Sequence, residues 1–232
     1  MILCHKHKFI FIKTKKTAGT SLELFLSQFC DDRDIVTPDD EGGVAVEAGR
    51  NYRGLFNPIP EIAMGKARGR GLQRVLRGFR DRRRFYGHAS ASIARTRIPA
   101  ETWNRYTKFC VERNPWDKTV SHYYYVRKHS KNPDYALDDY FRANIFAINY
   151  PLYTDRAGNL LVDRVVRYEN LAEELGEIFA GLGIPFDGSL GAQAKGGYRE
   201  DRRPYQEVFS PEQREIVARV FAPEIALHGY TF

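Results

Sequence analysis

The 232-residue chain predicts a single α/β domain, a three-layer sandwich in which helices cover both faces of a central parallel sheet. Three observations carry this prediction. Two strand–turn–helix units stand out, at 9–29 and 106–124. Strands and helices alternate through much of the rest, with no internal repeat. An apolar fraction of 43% with 13% aromatics is enough for a globular core rather than a disordered chain.

The first unit opens on the apolar run Phe9-Ile10-Phe11-Ile12. After it come Lys16-Thr17-Ala18-Gly19-Thr20-Ser21 and a helical pattern with Leu22, Phe25, Leu26 and Phe29 on one face. Strand, tight turn and helix are the setting of a P-loop-like phosphate-binding loop. Gly19 lets the backbone approach an anion closely. The N–H groups and the dipole of the new helix favour negative charge there. Lys16 adds a full charge at the loop mouth, and Thr20 and Ser21 add hydroxyls. The loop is not a Walker A sequence, because Thr20 stands where that template needs Lys. An ordinary capped helix after a strand is the plainer alternative.

In the second unit, Tyr106–Val111 reads as a strand. Asn114 is a natural N-cap and Pro115 a natural first helical residue. Trp116, Val120, Tyr123 and Tyr124 give the helix its apolar face. Arg113 therefore sits at the carboxyl end of a strand, where open α/β sheets bind ligands. Arg113 and Ser121 converging there suit a second phosphate, held through two guanidinium donors. Singly, Arg113 also suits a salt bridge at the sheet edge, and Ser121 a solvated hydroxyl.

Together these segments resemble the sulfotransferase superfamily that uses 3′-phosphoadenosine-5′-phosphosulfate (PAPS). Lys16-Thr17-Ala18-Gly19-Thr20-Ser21 is similar to that family's 5′-phosphosulfate loop. Arg113-Asn114-Pro115, with Ser121 eight residues after the Arg, is similar to its 3′-phosphate motif. His88 in Tyr86-Gly87-His88-Ala89 resembles a histidine found between the two motifs in many carbohydrate-type members. Tyr168-Glu169-Asn170-Leu171 and Gly229-Tyr230-Thr231-Phe232 also resemble family elements. The matches lie closer to bacterial and carbohydrate-type members than to small-molecule cytosolic ones. They span most of the chain except about 31–85. Lys15 departs from the pattern, since the carbohydrate-type loop usually has Pro there.

The resemblance implies a chemistry. A sulfuryl group would pass from PAPS to an acceptor hydroxyl, on a carbohydrate or glycan, without a metal. By analogy with phosphoryl transfer, charge builds on the leaving bridging oxygen. Lys16 is the residue to neutralise it. Thr17 to Ser21 hold the 5′-phosphate, and Arg113 and Ser121 hold the 3′-phosphate. His88 is the candidate base, because a histidine's ordinary pKa of about 6.5 suits proton removal near neutrality. Glu112 is the alternative base, although beside Arg113 it reads more simply as a buried, paired acid. In Lys195-Gly196-Gly197-Tyr198-Arg199, Lys195 and Arg199 resemble the late basic loop that closes over the 3′-phosphate; a solvated basic loop is the alternative. Lys13 and Lys15 are expected to help the loop electrostatically.

Elsewhere, 31–65 reads as irregular. Residues 66–84 carry nine Lys or Arg against Asp81 and read as a basic amphipathic helix: a lid with a solvated back, or a docking surface for an acidic acceptor or membrane. Together 31–85 form an insertion on the acceptor side of the domain. Pro99–Tyr106 and Leu137–Ile148 read as helices, and Leu161–Tyr168 as a strand. Asn170 is expected to cap a helix that stops at Gly183, with Glu173 completing a capping box, and Ser210 to cap the last long helix.

The net charge of +7 points to anionic ligands or partners. Nucleic acid is not among the expected partners. Cys4, Cys30 and Cys110 show no disulfide framework and no zinc spacing. No apolar run approaches a membrane span or a signal peptide, so a cytoplasmic protein is expected, unlike the anchored Golgi members of the superfamily. Two other classes remain. A P-loop-like kinase using ATP would lack its usual Mg²⁺-binding residues here. A non-catalytic polyanion-binding protein would explain 66–84 but not two phosphate motifs at strand ends.

Overall fold

The computed structural model describes residues 1–38, 49–63, 70–191, 199 and 201–232, without the side chains of 70, 71 and 74. Strand β1 (Ile2–Cys4) pairs antiparallel with β2 (Phe9–Phe11), Leu3 facing Ile10. Strand β3 (Ile35–Val36) adds antiparallel to β1. Strand β4 (Thr107–Glu112) runs parallel to β2, and β5 (Arg164–Arg167) parallel to β4. The order is β3-β1-β2-β4-β5. The sheet is thus mixed, with the expected parallel part confined to β2, β4 and β5. Its antiparallel edge has a simple cause. Only His5–Lys8 separate β1 from β2, too few residues for the crossover a parallel pair needs.

The helices follow in chain order. They are α1 (Gly19–Ser27), α2 (Ile59–Ala63), α3 (Arg70–Arg80), α4 (Ala91–Arg97), α5 (Ala100–Arg105) and α6 (Pro115–His129). After α6 come α7 (Leu137–Ala143), α8 (Tyr150–Tyr153), α9 (Leu171–Leu182), α10 (Pro211–Val220) and α11 (Ala222–His228). Strand alternation sorts the core into two layers. Phe9, Phe11, Phe109, Val111 and Val166 face α1 and α9 through Leu22, Leu26, Leu175 and Phe179. Leu3, Ile10, Ile12 and Cys110 face the other way, onto Ala91 and Ala94 of α4, Trp103 of α5 and Tyr153 of α8. Each such fully buried large side chain contributes about 1.5–3 kcal/mol.

Several elements differ from the sequence reading. The region 31–65, read as irregular, contains β3 and α2. The helix expected to reach Ile148 stops at Ala143, because Asn144 turns left-handed (φ 50°). Asn170 precedes α9 without a side-chain cap bond, whereas Gly183 ends it in the left-handed conformation as expected. Ser210 makes the full capping box with Gln213. Cys4, Cys30 and Asp34 bring their ligand-type atoms within 4.8 Å of one another. The Asp34 carboxylate already accepts the His5 and Asp31 N–H groups and the Cys4 thiol, so it staples the turn after α1 to the end of β1. No helix among the described residues is long and apolar enough to cross a membrane.

At the carboxyl end of β4 lies a buried polar network. Glu112 and Lys118 pair at 2.7 Å with no exposure on either side chain. Asn149 Nδ2 (3.2 Å), the Tyr153 hydroxyl (3.1 Å) and the Arg113 N–H (2.9 Å) also donate to Glu112. Burial, reinforced by the Glu112 charge, pushes the Tyr153 phenol well up, so it stays a donor. Removing one partner of a buried pair strands the other charge. Lys118→Met should therefore lower the unfolding free energy by about 3–5 kcal/mol in denaturant titration, and adding Glu112→Gln should recover part of the loss. A loss under about 1 kcal/mol would show that the pair does not hold this region together.

Candidate active site

The loop after β2 is shaped by two left-handed residues, Lys16 (φ 61°) and Ala18 (φ 58°), neither of them glycine. Each costs on the order of 1–2 kcal/mol, so the surroundings must hold the loop in place. Thr14 Oγ1 bonds Thr17 Oγ1 at 2.7 Å and the Val111 carbonyl of β4. Asn149 clamps Lys15 from both sides: its Oδ1 accepts the Lys15 N–H at 2.9 Å and its Nδ2 donates to the Lys15 carbonyl at 3.0 Å. Arg113 Nη1 donates to the Lys16 carbonyl at 3.3 Å.

Helix α1 starts from this loop without a side-chain cap. Its first intrahelical bond runs from the Leu22 N–H to the Ala18 carbonyl. By helix geometry, the amides of 19–21 precede that bond and point out of the N-terminus. Gly19 is also constrained by packing. A Cβ there would lie 2.9 Å from Lys13 Cγ and 3.2 Å from the Thr14 carbonyl. The nearer of these two contacts comes from Lys13. It runs beneath α1, buried, and pairs with Glu23 at 2.6 Å, while the Met1 ammonium takes the other Glu23 oxygen. Lys15 is exposed.

Lys16 to Ser21, His88, Arg113, Ser121 and Arg199 line one cavity of about 720 Å³, a volume that suits a nucleotide-sized ligand. Lys195 lies outside the described residues. Arg113 stacks 4.2 Å from the Tyr168 ring centre and donates through Nε and Nη2 to Asp117 Oδ2. The same carboxylate pairs with Arg199 at 3.0 Å, so Asp117 spaces two guanidiniums along one wall. Lys16 Nζ lies over the Tyr125 ring at 4.5 Å. Leu171, Ala172, Leu175, Phe186 and Leu190 form an apolar end.

His88 Nδ1 lies 3.0 Å from the Lys13 carbonyl. A carbonyl only accepts, so Nδ1 carries the proton and, in the neutral ring, Nε2 carries the lone pair. Glu112, the alternative base, is buried in its network and does not line the cavity.

Sequence reasoning missed Asp117, His122, Tyr125, Asn149 and Phe186. Asp117 had a signal, since it follows Arg113 by four residues and lies in the first turn of α6. Tyr125 and His122 lie on the α6 face that also bears Ser121. Asn149 had none, because only the tertiary fold brings it to Lys15. The Tyr168-Glu169 pair gains a physical account. Tyr168 supports Arg113, and Glu169 Oε1 accepts the Asn114 N–H at 2.7 Å, fixing the start of α6.

No family model matches the chain. The chain belongs to the same family as an uncharacterized protein of Archaeoglobus fulgidus, with which it is 34% identical over 116 residues, 47% of this chain and 97% of that protein. Mouse sulfotransferase SULT7A1, solved in complex with PAP, is a structural neighbour at 14% identity and a TM-score of 0.46, covering 96% of this chain and 86% of that one.

Gly19→Ala tests the packing under the loop. Helix propensity favours Ala by at most about 1 kcal/mol, the helix-interior figure, and Gly19 is the first residue of α1. The contact with Lys13, pinned at its far end by Glu23, opposes it, and overpacking costs about 1–3 kcal/mol. Chemical denaturation should show net destabilisation. A gain in stability would mean that Lys13 moves aside.

Proposed function

We propose that the protein is a PAPS-dependent sulfotransferase acting on an acceptor hydroxyl, with a carbohydrate or glycan as the acceptor class. One observation carries the reading. The start of α1 with its loop, and Arg113 with Ser121, open into the same cavity from the carboxyl ends of neighbouring parallel strands. Two separate anion-holding groups in one nucleotide-sized cavity suit a nucleotide phosphorylated at both 5′ and 3′ positions.

In this reading the α1 amides with Thr17, Thr20 and Ser21 hold the 5′-phosphosulfate. Arg113, Ser121 and Arg199 hold the 3′-phosphate, joined by Lys195. The apolar end at Leu171, Leu175 and Phe186 takes the purine. The acceptor oxygen attacks sulfur as the bond from sulfur to the bridging oxygen breaks, and the electron pair leaves on the 5′-phosphate. Lys16 neutralises that oxygen, and His88 Nε2 takes the hydroxyl proton. No metal enters the scheme. The whole of 1–232 acts as one sulfotransferase domain, with 31–85 on the acceptor side. Labelled PAPS incubated with a panel of glycans and the purified protein should yield a labelled, metal-independent product.

Two substitutions test the roles. Lys16→Ala should lower turnover by an amount equivalent to about 2.7–4 kcal/mol, with much less effect on nucleotide affinity, because its charge matters most as the oxygen leaves. Near-normal turnover would remove Lys16 from the mechanism. His88→Ala should keep nucleotide binding and lose about 10²–10⁴-fold in rate. Retention of the wild-type rate would place the base elsewhere.

A further inference from the structure

The chain's charge is concentrated in one short stretch. Residues 66–84 hold nine cations and one acid, a net of +8, against +7 for the whole chain. The remainder is therefore close to neutral, and eight of the nine cations are arginines. The same neighbourhood holds most of the exposed apolar surface. Of nine exposed large apolar residues among the described ones, five are Leu55, Ile59, Ile62, Leu76 and Phe79, each at least 40% exposed.

These residues stand on a fixed base. Phe56 and Val75 pack together beneath α3, and the Phe56 and Phe79 rings lie 5.9 Å apart. Arg97 of α4 stacks on Phe56 at 3.7 Å and pairs with buried Glu61 of α2 at 2.6 Å. The Gly54 N–H donates to the Arg82 carbonyl at 2.7 Å, joining the preceding loop to the end of α3. The underside is thus satisfied by α4, while Leu76, Phe79, Arg77, Arg80 and Arg82 remain exposed.

We propose that the face built from residues 55–62 and 76–82 docks on an anionic lipid bilayer. The apolar side chains would sit at the headgroup–acyl boundary and the arginines on lipid phosphates. The mixture selects this occupant. An acidic polymer needs only the cations, whereas an interfacial amphipathic helix uses apolar and basic groups side by side. Arginine also suits phosphate through its planar fork of donors. The proposal does not depend on the reaction assigned to the cavity.

The test is co-sedimentation of the full chain with phosphatidylcholine vesicles and with vesicles containing phosphatidylserine, with heparin-column retention in parallel. Binding should require phosphatidylserine and weaken as salt rises. An arginine near an anionic surface contributes about fivefold in affinity, so Arg77→Glu/Arg80→Glu/Arg82→Glu should abolish sedimentation. Leu76→Ser/Phe79→Ser should lower it at least about tenfold while leaving heparin retention unchanged. Leu160→Ser/Leu227→Ser, exposed apolar changes elsewhere, should do neither. Circular dichroism melts check that each variant is folded. Failure of the wild type to bind would overturn the proposal. So would binding by folded Leu76→Ser/Phe79→Ser equal to wild type, which would make the face a general polyanion site.

Discussion

The Glu112 carboxylate, buried at the carboxyl end of β4, takes donors from several parts of the chain. Lys118 reaches it from α6, Tyr153 from α8, Asn149 from the turn before α8, and the Arg113 amide from its own strand end. Asn149 then passes the constraint to the loop by holding both polar backbone groups of Lys15. A loop with left-handed Lys16 and Ala18 needs such support, because nothing in those two residue types favours that backbone. A charge buried this deeply is costly unless paired, so the network has little freedom to rearrange without exposing Glu112.

Above this network the cavity wall is cationic, with its cations held apart. Asp117 pairs with both Arg113 and Arg199, and Tyr168 supports Arg113 from the side. The carboxylate removes one unit of repulsion and leaves the pair a net positive charge. That arrangement fixes direction as well as sign: Arg113 faces the end of the sheet where α1 begins, and the Lys16 carbonyl accepts one of its donors. The candidate base is set by the same loop, since the Lys13 carbonyl decides which His88 nitrogen keeps the proton.

Much of this was legible where the signal was local. The apolar run before Lys16, the Asn114-Pro115 start of α6 and the Ser210 capping box each lie within a few residues of the feature they specify. What could not be read was set by distant partners. Strand β3 is two residues long and exists because β1 offers it an edge. The antiparallel β1 was hidden by its shortness. The buried pair of Lys13 with Glu23 had no sign in the sequence, because Glu23 is itself an unremarked helix residue. Gly19 was picked for close approach to an anion, and the structure adds a constraint that the sequence did not show: a side chain passing beneath the helix leaves little room for a Cβ. Asn149 gave no sign of its link to Lys15.

The central claim is that this cavity reads phosphate at two positions of one nucleotide. Calorimetric titration with adenosine 3′,5′-bisphosphate and with 5′-AMP, both without divalent metal, tests it most directly. The bisphosphate should bind at least about tenfold more tightly, the scale expected for hydrogen bonds to a charged group, and Arg113→Ala should erase the difference between the two nucleotides. Equal affinities for the two nucleotides in the wild type, or binding that requires ATP and metal, would contradict the account.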